Sequence, residues 1–63
     1  MTKFVFEIVI LHQNHNDNKW YTTTHFRCIN ASGYYKAFYD ALDWGVDLAD
    51  LYLNGEVKSI TRM

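Results

Sequence analysis

From Lys3 to His12 the chain alternates with period two. Phe4, Phe6, Ile8 and Ile10 fall on one face; Lys3, Val5, Glu7, Val9 and Leu11 fall on the other. This is the pattern of a β-strand, and its second face is unusually apolar for one left in water. Gln13 to Lys19 is polar and rich in Asn, a connecting loop. Trp20 to Ile29 reads as a second strand. Trp20, Thr22, Thr24, Phe26 and Cys28 lie on one side, and Tyr21, Thr23, His25, Arg27 and Ile29 on the other. The loop length suits an antiparallel hairpin.

Beyond Ser32 the period changes to that of a helix. Ser32 is the expected N-cap of a helix from about Gly33 to Gly45 or a little beyond. Tyr34, Phe38, Ala41, Leu42 and Gly45 cluster on its predicted inner face. Lys36, Asp40, Asp43 and Asp47 cluster opposite, with Tyr39 and Trp44 on the flanks. Gly45 fits a C′ residue with Val46 packing back. Ala49 to Leu53 reads as a short strand, Asn54-Gly55 as a type I′ turn, and Glu56 to Arg62 as a last strand. The predicted fold is α+β: an antiparallel sheet with one helix on one face, in the order β-β-α-β-β. The fallback, if the second hairpin does not form, is β-β-α-β.

Composition narrows this picture. Sixty-three residues make one domain, 1–63, that buries only about 60% of the surface its unfolded chain exposes. One cysteine, Cys28, excludes an internal disulfide and points away from an oxidising compartment. Aromatic residues are 17% of the chain, a compensating source of buried area. No apolar run is long enough to cross a membrane, and Glu7 interrupts the N-terminal stretch, which therefore reads as a strand rather than a signal peptide. A cytoplasmic setting is expected, and the Asn30-Ala31-Ser32 sequon is then incidental. A net charge of −1 lacks the basic field of a nucleic-acid binder, so direct nucleic-acid binding is not expected.

Candidate chemistry is sparse. His12-x-x-His15 followed by His25-x-x-Cys28 has the ligand types of a zinc site. Residues three apart on a strand point to opposite faces, however, so His25 and Cys28 do not converge. Cys28 has no helix N-terminus or cleft to lower its pKa, and no glycine-rich phosphate loop occurs. Neither metal, cofactor nor enzymatic activity is expected.

Two surfaces remain. One is the acidic stripe Asp40, Asp43 and Asp47, flanked by Tyr39 and Trp44; it is either an ordinary solvated helix face or a patch that meets a basic partner. The other is the sheet face away from the helix. With Phe4, Phe6, Ile8 and Ile10 inside, Val5, Val9, Leu11, Tyr21, His25, Arg27 and Ile29 are expected to face outward. That face would take a second copy, a protein partner or, less readily, single-stranded bases.

In length and element order the chain resembles the small phage-encoded inhibitors of uracil-DNA glycosylase that lay one helix on a three-stranded sheet. The resemblance spans Val5 to Ile60: the first strand, the Asn14 to Lys19 turn, Trp20-Tyr21 opening the second strand, and the helix. It is similar in style to phage anti-CRISPR proteins and antitoxins. The resemblance implies a non-enzymatic inhibitor that binds a host protein and blocks its nucleic-acid-handling surface; it carries over no particular residue, and the contact candidates Tyr39, Asp40, Asp43, Trp44, Asp47, Val9, Tyr21 and Arg27 come from the two surfaces above. The alternatives are a small nucleic-acid-binding or regulatory domain and a structural homodimer.

Overall fold

A computed structural model describes all 63 residues, Met1–Met63. The chain runs β1 (Thr2–Gln13), β2 (Trp20–Ala31), α1 (Tyr34–Ala49) and β3 (Glu56–Arg62). The strands form one antiparallel sheet in the order β2-β1-β3, and the chain is α+β as its periodicities predict. No helix is long and apolar enough to cross a membrane.

The even residues of β1 form the core as expected. Phe6, Ile8 and Ile10 are fully buried, with Phe4 close behind. Against them lies a row of small residues, Ala37, Ala41, Gly45 and Ala49, one helical turn apart and all buried. The row lets the helix backbone settle close to the sheet. A Cβ added at Gly45 would stand 3.2 Å from Cγ2 of Ile8 and 3.4 Å from Cγ2 of Val57. Phe38, Trp44 and Leu48 flank the row and seal its sides. The inner face is thus turned slightly from the predicted one, with alanines at its centre.

The predicted fourth strand does not form. The helix passes through Gly45, which is a contact residue and not a cap, and ends at Ala49. It must carry the chain from the Phe4 end of the sheet back to Leu11, where Glu56 begins its pairing. Sixteen residues at about 1.5 Å each give roughly 24 Å for that crossing. Leu51, Tyr52 and Gly55 then donate to the carbonyls of Leu48, Ala49 and Tyr52, a string of tight turns where a strand was expected. Asn54 has φ 51° but Gly55 has no positive φ, so the turn is not type I′. Gly55 is required by space: a Cβ there would overlap the Ala49 carbonyl oxygen. At the other end, Gly33 and not Ser32 is the N-cap, extended at φ −159°, with no side-chain cap bond. Ser32 lies one residue too early because buried Ala31 still belongs to β2.

Register corrects the reading of β2. Phe4, Phe6, Ile8 and Ile10 stand opposite Ile29, Arg27, His25 and Thr23. Directly opposed residues share a face. Tyr21, His25, Arg27 and Ile29 therefore lie on the helix side, and Trp20, Thr22, Thr24, Phe26 and Cys28 face outward with Val5, Val9 and Leu11. In β3 the pairing slips: Val9 opposes Ser59 while Ile10 opposes Val57, which leaves Lys58 as the extra residue of a bulge.

Candidate protein-binding site

Four of the eight contact candidates meet in one groove. It runs between α1 and the free edge of β2, with a volume of about 540 Å³. Arg27, Cys28, Ile29 and Asn30 line its strand wall; Asp40, Asp43 and Trp44 line its helix wall. The Arg27 guanidinium lies 5.1 Å from the centre of the Trp44 ring, a cation–π contact. The His25 ring meets the same indole edge-on, with 6.2 Å between centroids. Trp44 is thus a half-buried pillar joining helix to edge strand, not the exposed flank the helical wheel suggests.

The other four lie apart. Asp47 continues the acidic stripe one turn beyond Asp43 and is exposed. Tyr39 is 60% exposed and packs edge-to-face on Phe38, within an aromatic patch shared with Tyr34 and Tyr35 at the helix N-terminal end. Val9 sits on the outer sheet face. Tyr21 sits at the hairpin end, where its hydroxyl donates to Asp17 at 2.6 Å. The proposed outer patch of Val9, Tyr21 and Arg27 is therefore split by the sheet; the residues that do join Val9 there are Val5, Leu11, Phe26 and Trp20.

Polar side chains are unevenly placed. The side-chain hydrogen bonds gather around the hairpin loop, β1 and the turns after α1. Asp17 also accepts from the Lys19 amide at 2.9 Å. The Tyr21 hydroxyl and this amide hold its carboxyl below the usual 3.8, and the same carboxylate pushes the Tyr21 phenol above 10.0. His25 bonds the Tyr52 hydroxyl at 3.1 Å, and the Tyr52 ring stacks on His12 with centroids 4.4 Å apart. The sequence places Tyr52 in a short strand, where nothing marks it as the residue that ties His12 and His25 together. His25 and Cys28 lie on opposite faces, as strand geometry requires.

None of these bonds reaches Asp40, Asp43 or Asp47. The helix, moreover, is charged against its own dipole. Its first turn holds Lys36 and no acid; its end holds Asp47 and then Asp50 at the C-cap, with no base in the last turn. Each reversed charge costs about 0.3–1 kcal/mol relative to the complementary one. No protein-family profile matches the chain, and no curated protein or solved structure is significantly similar to it.

Proposed function

We propose that this chain is a non-enzymatic protein-binding inhibitor that presses the acidic side of α1 against a basic surface of its partner. The observation that carries the reading is the inverted charge of the helix. The carboxylates of Asp40, Asp43, Asp47 and Asp50 accept none of the side-chain hydrogen bonds, and the last two oppose the dipole. Carboxylates so placed weaken the fold, and a basic partner would offset that cost. A surface evolved to hold nucleic acid is basic and fits this role. Hence the reading that the target is a host protein handling nucleic acid, and that the chain is a phage anti-defence factor of anti-CRISPR type acting in the host cytoplasm.

The test begins with capture from bacterial lysate, followed by nucleic-acid binding of the captured partner. The partner is expected to lose nucleic acid when this protein is added, and to regain it with Asp40→Lys/Asp43→Lys/Asp47→Lys. Equal displacement by both forms would refute the reading.

A second reading, a homodimer through the outer sheet face, is supported by Phe26, 60% exposed and diagonal to Val5 and Val9, and by Trp20, 53% exposed on the same face at the hairpin end. Base stacking on that face is disfavoured, because Glu7 and Glu56 stand on it and the chain has a net charge of −1. Sedimentation of Phe26→Glu beside the parent tests the dimer: a monomer at micromolar concentration in both would remove it.

A further inference from the structure

The free edge of β2 offers a second element of recognition beside the acidic helix. Asn14 donates its N–H to the Lys19 carbonyl at 2.9 Å and closes the hairpin. In an antiparallel pair each residue points its N–H and C=O to the same side, and sides alternate along the strand. From this closure, Tyr21, Thr23, His25, Arg27 and Ile29 bond to β1. Thr22, Thr24, Phe26, Cys28 and Asn30 direct their backbone groups away from the sheet. Nothing in the chain pairs with them, since β2 is an outer strand.

The two edges differ in a telling way. The β3 edge is seven residues long, bulged at Lys58, and so blunted against pairing. The β2 edge is twelve residues long with unbroken register and no proline. The groove follows this edge. Side chains of consecutive strand residues alternate between faces, so Arg27, Cys28, Ile29 and Asn30 can line one groove together only if it runs along the backbone. Its far wall carries Asp40 and Asp43, about 5–6 Å apart as residues one turn apart on a helix. On an extended strand, side chains two residues apart are about 6.6 Å apart.

We propose that this groove takes an extended segment of a partner protein, which adds to β2 as a fourth strand and sets alternate Lys or Arg side chains against Asp40 and Asp43. The mode is strand addition, with main-chain bonds to Phe26, Cys28 and Asn30 and charge selection from the helix. Two carboxylates against the single Arg27 leave the groove one negative charge in excess, and Arg27 is occupied on Trp44. The proposal rests on the reading that α1 meets a basic partner, and adds how the partner is held.

The probe is a fluorescein-labelled nine-residue peptide alternating Lys and Thr, compared with the same peptide N-methylated at the residues that would face β2. Methylation keeps every charge but blocks strand addition. Anisotropy should show saturable binding of the parent peptide, at least tenfold weaker after methylation and at least tenfold weaker with Asp40→Lys/Asp43→Lys. Amide hydrogen exchange at Phe26, Cys28 and Asn30 should slow when the parent peptide binds. Equal binding of both peptides, weakened alike by the charge reversal, would overturn strand addition and leave the acidic-helix reading standing. No saturable binding, or binding indifferent to both changes, would overturn the proposal. Protection of those amides that rises with protein concentration alone would assign the edge to a second copy, and overturn it too.

Discussion

The two faces of β1 are built from similar residues and meet different fates. Phe4, Phe6, Ile8 and Ile10 are buried under α1, while Val5 on the other face is 37% exposed and Val9 and Leu11 are partly so. Both faces satisfy the alternation of a strand. What separates them is the cover: an Ala/Gly row lies against one face, and no element of the chain reaches the other. Alternation therefore decides which residues share a face, and only the helix decides which face is the core.

The comparison breaks most visibly by truncation on the covered side. Ile8→Ala should cost about 3–4 kcal/mol, by lost burial and the cavity left behind, whereas Val9→Ala one residue on should cost about 1 kcal/mol or less. Urea unfolding of the pair measures the difference; similar costs would mean that the outer face is covered in solution. The closeness of the cover is tested next. Gly45→Leu forces a side chain between α1 and Ile8 and should destabilise by about 3 kcal/mol, again read from the denaturation midpoint.

Smaller effects concern the exposed side of the same helix. Asp47→Lys and Asp50→Lys should each raise stability by about 0.3–1 kcal/mol by matching the dipole. The melting temperature would show this, and loss of stability would remove the argument from inverted charge. Smallest is the hairpin end, which α1 does not reach. The folded pKa of Asp17 is depressed, so its contribution is fully present above about 3.8 and is lost as pH falls through the lower folded value. Tyr21 is raised, so its contribution is present below about 10 and is lost as pH rises through the higher folded value. NMR titration of the Asp17 carboxyl should give a higher midpoint in Tyr21→Phe than in the parent, still held below the usual value by the Lys19 amide.

The first strand, the hairpin and the acidic helix face were legible because each repeats one period over many residues. The facing of β2 was not. Its two alternating sets are both mixed, Trp20, Phe26 and Cys28 on one side and Tyr21, His25 and Ile29 on the other. Hydrophobicity alone does not choose between them. The loop chooses, by pairing Gln13 with Trp20 and so matching even residues of β1 to odd residues of β2. Arg27 and His25 are tolerated on the helix side because β2 is the outer strand, and Trp44 and Tyr52 meet them there. The fourth strand failed for a related reason: the path back along the sheet is longer than a helix ending at Gly45 can cover. The groove was legible in part. Its helix wall follows from the stripe, but its strand wall depends on the facing of β2.

The bulge at Lys58 has a consequence for assembly. A sheet grows without limit only if both borders accept strands, because each added copy must present a fresh border to the next. With β3 blunted, pairing along β2 joins two bodies and then stops. The molecule can be extended once, on one side, and its architecture resists polymerisation into a fibre.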